Sequence, residues 1–344
     1  MSWKFDISSD IRYDWGELVE TSECSHVFYH PSLVRAWIET YKPLRKITPF
    51  IIHATDGDNL AVLPMTLWQR NWKNVFQRAI VPVGYSDFDY HDPIFLHKPS
   101  TDSLAEFWEG VVKAIGQQFS FDTLTTDGVT DSMIADSLQW QRGEICPLLR
   151  LDDIHTENEL MTFFKTSLRG DIRRQIRRLE EIAPLKFTEY HSWEEIPSTT
   201  FNEFMRQHTM RWPNAYKAPQ FHENLLKEGL RAGVIHFSTL SVGDTEIAWH
   251  LGFTFRGRYY YYMPAGNQDY FKYSPTKIHL FYLVRRAVEL GYSVYDHLRG
   301  EENYKSGWSN DSQYVNTMTI GSISVSSKLK HNLLKMRQLI TPPR

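Results

Sequence analysis

Cysteine is scarce in this chain, which has only Cys24 and Cys146 among its 344 residues. Two cysteines cannot build a disulfide framework, and neither belongs to a CxxC pair of the kind that binds zinc, so we expect a reducing compartment. His222-Glu223 begins like the HExxH zinc motif, but Leu226 stands where the second histidine is required. We therefore predict a protein without a bound metal.

Long apolar runs and nucleotide-binding motifs are missing as well. No run approaches the ~20 apolar residues that a membrane-spanning helix needs, and residues 1–15 lack the apolar core of a secretory signal. The chain has no Walker A loop, no GxGxxG and no GxSxG. A formal net charge of −3 gives no global attraction to nucleic acid. We expect a cytoplasmic protein with no membrane span and no nucleic-acid partner.

Apolar and aromatic residues are plentiful, at 42% and 14%, and the length suits two domains. Hydrophobic periodicity predicts a hairpin, a strand, a helix and a strand in that order twice. The first set covers 49–65, 75–83, 104–115 and 122–125, and the second covers 233–255, 258–265, 274–290 and 293–298. Other predicted elements are helices at 32–41, 156–182, 201–211 and 221–231 and strands at 185–190 and 313–320. The pattern predicts an α+β fold (layered α/β) of two domains, 1–152 and 153–344, each a mixed, mostly antiparallel sheet flanked by helices.

A helix start that suits phosphate is predicted near residue 274. Ser274 fits the N-cap and Pro275 fits the first helical position. The unpaired N–H groups and partial positive charge of a helix N-terminus attract phosphate, and Lys272 and Lys277 add charge. The alternative is an ordinary capped helix with exposed lysines.

The strand before this helix, Tyr259–Ala265, includes Pro264. Proline cannot donate to a sheet, so it implies a bulge or a splayed edge. N–H groups left free by a splayed strand can bond to a thioester carbonyl and to its developing oxyanion. The alternative is that the four tyrosines of this strand are good strand formers on a half-buried surface.

Carboxylates, a histidine, two cations and a glycine follow the next strand, over Asp296–Lys305. Alternation places Asp296 on one face of that strand and Tyr295 and His297 on the other. Ligands of α/β proteins bind where strands end, so the segment suits acid–base chemistry. The alternative is a solvated, charged loop.

A basic helix is predicted in the second half of the chain. Arg169, Arg173 and Arg177 form a stripe beside the apolar stripe of that helix. Arginine forks bind diphosphates and RNA, and a merely solvated face is the alternative.

Taken in order, these segments resemble the tandem-GNAT acyltransferases of the CelD-like and FemAB-like kind. The resemblance is carried by the basic helix 167–179, the HxxxW of His208–Trp212, Glu246–Phe253, Tyr273–Pro275 and Tyr295–Lys305. It covers the second half of the chain, whereas the first half matches in its order of elements and in the loop Gly84–Asp92. One departure is Thr276, because many relatives have glycine after the Ser-Pro pair.

The resemblance implies two GNAT-like domains, with the acceptor on the first and the acyl donor and catalysis on the second. It implies an N-acyltransferase that moves an acyl group from acyl-CoA to the amine of a nucleotide-linked amino sugar, in the synthesis of a cell-surface polysaccharide such as O-antigen. The residues expected to hold acyl-CoA are Tyr262, Met263, Ala265, Lys272, Ser274, Thr276 and Lys277. The residues expected to bind the acceptor are Asp87, Asp89, His91, Asp92, Arg169, Arg173, Arg177, Trp212, Arg299, Tyr304 and Lys305.

An attacking amine must lose a proton, because an alkylammonium has a pKa of about 10.4. The candidates for accepting that proton, directly or through water, are Asp296, His250 and Glu301, in that order.

Two other functions stay open at the level of the sequence. A Fem-type enzyme of peptidoglycan synthesis would use aminoacyl-tRNA as donor, although the span from Trp212 to Phe221 is short for the helical arm of such enzymes. A carbohydrate-binding protein without catalysis would explain the eleven tryptophans and eighteen tyrosines. The sequence does not fix the oligomeric state, and a homodimer would also use exposed aromatic side chains.

Overall fold

The computed structural model describes residues 2–72, 75–215 and 217–322, together with Ser327 and Lys330. The chain divides into two compact units, Met1–Glu144 with Tyr314–Arg344, and Ile145–Gln313. The division expected from the sequence, after residue 152, left the end of the chain in the second domain. The structure places the last strand in the first unit, because that strand pairs with a strand of the first unit.

The helices and strands in chain order are β1 (Lys4–Ser8), α1 (Gly16–Thr21), α2 (Pro31–Tyr41), β2 (Ile47–Asp56), β3 (Asn59–Trp72), β4 (Val75–Pro82), β5 (Ile94–Phe95), α3 (Thr101–Gln118), β6 (Thr123–Thr130), β7 (Trp140–Arg150), α4 (Glu157–Phe163), α5 (Thr166–Glu180), β8 (Leu185–Tyr190), α6 (Ser198–Arg211), α7 (Phe221–Arg231), β9 (Ile235–Val242), β10 (Thr245–Phe255), β11 (Arg258–Gly266), α8 (Pro275–Glu289), β12 (Val294–Asp296) and β13 (Asp311–Gly321).

The first unit contains a mixed sheet in the order β1-β2-β3-β4-β6-β13, with β5 beside β3. Its neighbours run antiparallel except β4 and β6, which are parallel. The hairpin predicted at Asp56-Gly57-Asp58 is confirmed: Asp56 pairs with Asn59 and Gly57 has a φ of +59°. Helix α3 buries Phe107 and Trp108 in the core of this unit.

The second unit contains a sheet in the order β7-β12-β11-β10-β9-β8, in which only β11 and β12 are parallel among the described strand pairs. Successive strand residues point to opposite faces. On β9, Ser238 contacts His279 of α8, and the preceding Phe237 packs on Phe204 of α6. Helices α8 and α6 therefore cover opposite faces of this sheet.

The single helix predicted over 156–182 is wrong, because the structure has two helices there. A capping box between Thr156 and Glu159 starts α4. Phe164 then takes an extended conformation, with ψ 140°, and packs against Trp308 with ring centroids 4.7 Å apart. Burial of this ring, which stabilises the fold by about 1.5–3 kcal/mol, ends α4 before α5 begins.

The predicted fold class is confirmed, since each unit is a mixed, mostly antiparallel sheet flanked by helices. Within the described ranges, no helix is both long and apolar enough to cross a membrane.

Candidate active site

Strands β11 and β12 of the second unit part after three residue pairs. Their parallel pairing runs from Arg258–Val294 to Tyr260–Asp296. The chain beyond β12 then stays bonded to β7, since His297 N–H donates to Pro147 O and Gly300 N–H to Ile145 O, both at 3.0 Å. Strand β11 instead follows β10 to its end at Gly266. A wedge thus opens between residues 261–266 and residues 297–300, and no strand of the described residues pairs with β11 on that side.

A β-bulge in β11 borders the wedge. Between the pairs Phe253–Tyr260 and Leu251–Met263, β11 advances three residues while β10 advances two. Such bulges occur next to active sites and re-aim side chains. The predicted bulge is found, although it precedes Pro264, and the predicted splay is found as the parting of β11 from β12.

The start of α8 lies against the end of β11. A Cβ built on Gly266 would stand 2.7 Å from Thr276 Cγ2. Pro275 occupies the first helical position, as predicted, but Ser274 is left-handed with a φ of +54° and its side chain makes no capping hydrogen bond. Thr276 N–H has no acceptor among the described residues. An anion at this helix start would meet that N–H and the positive end of the helix dipole.

Helix α5 adds charge beside the start of α8. Asp171 forms an ion pair with Lys277 at 2.7 Å and another with Arg174. Arg178 donates to Lys272 O at 3.3 Å, and its guanidinium lies 4.8 Å from the centre of the Tyr273 ring.

The arginine stripe singled out from the sequence lies elsewhere on the same helix. At about 100° per residue, Arg169, Arg173 and Arg177 lie far around α5 from the face that holds Arg178. Arg173 and Arg177 are exposed, and Arg169 donates to Met161 O at 3.3 Å. The structure therefore brings Arg178, rather than the predicted stripe, to the start of α8.

Asp296 is fully buried and forms an ion pair. Its Oδ2 accepts from Arg258 Nη2 at 2.6 Å and Nε at 3.1 Å, and its Oδ1 accepts from Leu298 N–H at 2.8 Å. Leu298 has a φ of +58°, a left-handed conformation that costs a branched residue energy. The Asp296 carboxylate thus holds a strained corner at the mouth of the wedge.

Lys305 holds the same corner from the other side. Its ammonium donates to Leu298 O at 3.3 Å and Arg299 O at 2.7 Å, and pairs with Glu302 at 2.8 Å. The side chain is only 4% exposed, so all three donors are used within the corner. Gly300 has a φ of +118°, and a Cβ there would overlap the Glu302 carboxylate.

His250 lies below the β11 border of the wedge, with no exposed surface. Its ring stacks on Tyr261 at 4.5 Å and 6°, and its Nδ1 lies 3.0 Å from the Tyr259 hydroxyl. Its Nε2 is buried and has no hydrogen-bond partner in the described part of the chain. Burial, followed by His279 and His236, depresses the pKa of His250 well below its usual value.

Tyrosine hydroxyls and two charges share the mouth of the wedge. The Tyr304 side chain is 43% exposed, so only part of it is desolvated. This partial desolvation raises its pKa, Glu302 raises it further and Arg211 lowers it. Burial also raises the pKa of Tyr261, on which Tyr304, Arg211 and Glu302 act in turn. Glu301, the neighbour of Glu302, is exposed.

The HxxxW segment ends α6 beside this group. Trp212 is 36% exposed and lies 4.6 Å from the His208 ring and from the Arg211 guanidinium. Burial lowers the pKa of His208 to about 3. Tyr262, on the bulge, packs on Phe253 at 5.0 Å. An aromatic face and a cation therefore stand at the end of α6.

The polar loop of the first unit is bound to its own core. Asp87 accepts from Trp37 Nε1 at 2.9 Å and from Tyr41 at 2.8 Å. Asp92 accepts from Thr130 N–H at 2.7 Å, His91 Nδ1 contacts Asp127 O at 2.8 Å, and Asp89 is half-buried. The carboxylates of Asp87 and Asp92 fix the loop conformation.

Several residues of this site were not singled out from the sequence, namely Tyr261, Arg211, Arg178, Glu302 and Arg258. Arg178, Arg258 and Tyr261 become notable only through partners distant in sequence, namely Lys272, Asp296 and His250. Arg211 and Glu302 lie within segments that carry the resemblance, but nothing in the sequence distinguishes them from their neighbours. A cavity of about 550 Å³ also occurs in this unit, near Arg150, Phe163 and Asn310, but none of the predicted site residues lines it. Among the described residues, no group of three or more metal-binding side chains is found.

Comparison with known proteins supports the geometry of the second unit. Residues 166–306 match the family model described as an acetyltransferase (GNAT) domain. These residues include β11, α8, β12 and the corner after it. No curated protein matches the chain.

Solved structures share the fold over nearly the whole chain. FemX has a TM-score of 0.62 at 12% identity, covering 98% of this chain and 99% of FemX. A conserved protein of unknown function from Bacteroides thetaiotaomicron VPI-5482 has a TM-score of 0.56 at 13% identity, covering 92% of this chain and 100% of that protein. A C-terminal domain attributed to a lysylphosphatidylglycerol synthetase from Agrobacterium fabrum has a TM-score of 0.50 at 11% identity, covering 90% of this chain and 91% of that domain.

The match over residues 166–306 confirms the prediction of an enzyme. Residues 166–306 therefore correspond to a GNAT-type acyltransferase domain.

Proposed function

We propose that the enzyme transfers an acyl group from acyl-CoA to the amine of a nucleotide-linked amino sugar in the synthesis of a cell-surface polysaccharide. The observation that carries the donor half of this proposal is the parting of β11 from β12 beside the first turn of α8. The gap exposes backbone N–H groups of one strand within a few residues of a positively charged helix start.

The acyl-CoA thioester is proposed to lie along Tyr262–Ala265, where the N–H groups of β11 on the wedge side face the thioester carbonyl. Hydrogen bonds from such preorganised donors stabilise the oxyanion of a tetrahedral intermediate more than they stabilise the thioester. Pro264 has no N–H, and the N–H groups of Met263 and Ala265 point to β10, on the same side as Asn267 N–H, which donates to Ile247 O at 2.9 Å. The donor next to the proline on the wedge side is therefore Gly266 N–H.

The diphosphate of the donor is proposed to bind at the start of α8. Thr276 N–H and the Ser274 hydroxyl, which makes no capping bond, would donate to phosphate oxygens. Lys272, Lys277 and Arg178 supply positive charge.

The acceptor is proposed to approach from the end of α6. Trp212 offers an exposed aromatic face to a sugar ring, and Arg211 and Tyr304 offer polar contacts beside it. Arg299 is half-buried at the corner and is proposed to contact the same ligand. The half-buried Arg169 and the exposed Arg173 and Arg177 remain candidates for holding the nucleotide part.

The order of the candidate bases changes with the geometry. Asp296 is bound to Arg258 and to Leu298 N–H, so we assign it the role of a positioning residue for the corner, and Lys305 likewise. Glu301 is exposed and would work in bulk water. His250 lies beside the wedge strand, and its Nε2 has no hydrogen-bond partner among the described residues, so it becomes the first candidate.

A thermal-shift comparison tests the binding half of the proposal. Acyl-CoA and a nucleotide-linked amino sugar should each raise the Tm, and Arg178→Gln should reduce only the shift caused by acyl-CoA. A matched ligand, S-acylpantetheine, lacks the diphosphate and the nucleotide and should give a smaller shift than acyl-CoA. If no CoA thioester raises the Tm, the placement of the donor is wrong.

A second candidate function is transfer from aminoacyl-tRNA, and the observation that favours it is the fold shared with FemX. The connection between α6 and α7 is confined to residues 212–220, which leaves no room for a helical arm there. Treatment with RNase separates the two candidates, because it abolishes transfer from aminoacyl-tRNA and leaves transfer from purified acyl-CoA intact.

A further inference from the structure

A hydrogen-bonded chain of four side chains lies under the wedge, on the face of the sheet that α8 covers. Each of four neighbouring strands contributes one member: Glu189 of β8, His236 of β9, His250 of β10 and Tyr259 of β11. Glu189 Oε1 lies 2.8 Å from His236 Nε2, His236 Nδ1 lies 3.0 Å from the Tyr259 hydroxyl, and that hydroxyl lies 3.0 Å from His250 Nδ1.

The chain runs from the surface to the interior. The side chain of Glu189 is 18% exposed and that of His236 is 12% exposed, whereas Tyr259 and His250 are buried. The last atom, His250 Nε2, has no partner among the described residues. His250 stacks on Tyr261 and pairs across the sheet with Pro264, and both of these residues border the wedge.

Gly252 makes room for the chain. A Cβ at this position would stand 2.5 Å from His250 Cε1 and 3.0 Å from the Tyr259 hydroxyl. Any larger residue would therefore force apart the two side chains that share the innermost hydrogen bond.

We infer that Glu189, His236, Tyr259 and His250 form a proton relay that carries the proton lost by the attacking amine from the wedge to the surface. The inference rests on the proposed function and adds to it the route by which the proton leaves. One water molecule passes the proton from the ammonium to His250 Nε2.

The steps balance within the chain. A bond forms between the proton and His250 Nε2, while the proton on His250 Nδ1 moves to the Tyr259 oxygen. The Tyr259 hydroxyl proton moves to His236 Nδ1. His236 becomes an imidazolium beside the Glu189 carboxylate, and it then releases its proton to solvent.

The relay explains how a deeply buried histidine can accept a proton. A cation on His250 alone would be uncompensated, since burial holds the pKa of this histidine well below its usual value. Transfer along the chain puts the charge on His236 instead, next to a carboxylate whose pKa is lowered to about 2 by the His236 hydrogen bond. By contrast, His297 Nε2 is bonded to Trp308 O at 3.0 Å, which leaves no such exit.

Other ionisable groups face the chain without joining it. Arg286 of α8 pairs with Glu189 at 3.1 Å and with Glu289 at 3.3 Å. His279 of α8 bonds to Ser238 and lies 6.4 Å from the His250 ring. Tyr295 stacks on Tyr259 at 4.8 Å, and Tyr261 stacks on His250. Tyr292 raises the pKa of Tyr259 through an electrostatic interaction. None of the hydrogen bonds that join the four members passes through these groups.

The test compares two pairs of matched variants. Tyr259→Phe removes the central hydroxyl of the relay. Tyr295→Phe removes, from the ring stacked on Tyr259, a buried hydroxyl that has no hydrogen-bond partner within the described ranges. Glu189→Gln removes the carboxylate that stabilises the His236 cation, and Glu289→Gln removes the other carboxylate bound to Arg286. Acylation is followed by free-thiol release at saturating acyl-CoA.

Tyr259→Phe and Glu189→Gln should lower kcat about 10- to 100-fold, in line with general acid–base catalysis, and leave KM for acyl-CoA unchanged. The lost activity should return as the pH rises towards the pKa of the acceptor amine, because the proton then leaves without the relay. Tyr295→Phe and Glu289→Gln should retain kcat within about twofold. Glu189→Gln, at a partly exposed site, keeps the test open if Tyr259→Phe does not fold.

The outcomes separate the relay from the function on which it rests. If the wild-type enzyme acylates the acceptor and each relay variant matches its control, the relay is refuted and the proposed function stands. A loss of activity that is constant across pH would also refute the relay, since it would indicate a structural defect. If the wild-type enzyme releases no thiol from any acyl-CoA, both proposals fail.

Discussion

Close packing at Gly266 joins the two halves of the proposed donor site at the scale of a single residue. This glycine ends β11, and a side chain on it would meet the first turn of α8. The strand proposed to bind the thioester and the helix proposed to bind the diphosphate are therefore held at a fixed spacing.

Gly266→Ala should raise KM for acyl-CoA roughly tenfold, because a Cβ at 2.7 Å from Thr276 pushes the helix start away at a cost of about 1–3 kcal/mol. Steady-state kinetics measure the effect. The matched control is Gly321→Ala, which also lies at the end of a strand but has no atom of the described residues within 4 Å of the added Cβ. Equal KM values for the two variants would show that the spacing does not matter for the donor.

Two helices share the charge at the start of α8. Asp171 and Arg178 of α5 contact Lys277 and Lys272, so α5 both supplies and orients cations there. The exposed arginines of the same helix lie on a different side of it.

Arg178→Gln should raise KM for acyl-CoA several-fold with little change in kcat, because a cation near the diphosphate contributes to binding in the ground state and the transition state alike. Arg173→Gln should leave that KM unchanged and raise KM for the nucleotide-linked acceptor. Kinetics with each substrate varied in turn distinguish the two effects. A rise in KM for acyl-CoA in Arg173→Gln alone would contradict the assignment.

The sequence predicts most of the elements because their signals are local. Alternation and turn residues locate β9, β10 and β11, and Ser274-Pro275 locates the start of α8. The break between α4 and α5 was missed, since its cause is the packing of Phe164 on Trp308, far along the chain.

The candidate site is predictable only in part, for a related reason. The sequence suggests His250 and Asp296 as possible bases. It does not show that the Asp296 carboxylate is paired with Arg258, nor that the Tyr259 hydroxyl bonds to His250. Partners of buried polar groups come from neighbouring strands, and a single sequence carries no record of their register.

Buried neutral histidines make the stability of the whole molecule depend on pH. Burial lowers the pKa of His208 and His279 to about 3 and of His222 and His297 to about 4. These groups bind protons in the unfolded chain at pH values where the folded chain does not. The stability that these histidines contribute is fully present above the pKa of histidine in the unfolded chain, about 6.5. It is lost as the pH falls towards 4.

The free energy of unfolding should therefore fall between about pH 7 and about pH 5, by up to about 1.4 kcal/mol per pH unit for each proton taken up. Glu189 contributes in the same direction only at lower pH, below its unfolded pKa of about 4.5, since its folded pKa is about 2. Urea denaturation at the two pH values measures the change. Equal stability at both would mean that these histidines are not buried as the structure shows.

Transfer of an acyl group from acyl-CoA to an amino sugar is the reaction proposed for the whole molecule. Its most direct test is thiol release from acyl-CoA by the RNase-treated enzyme, with a nucleotide-linked amino sugar as acceptor and the matching sugar that has a hydroxyl in place of the amine as control. The account predicts one thiol released for each amide detected by mass spectrometry, and only background release with the control sugar. Amide formation that requires aminoacyl-tRNA, or thiol release that is the same with both sugars, would contradict it.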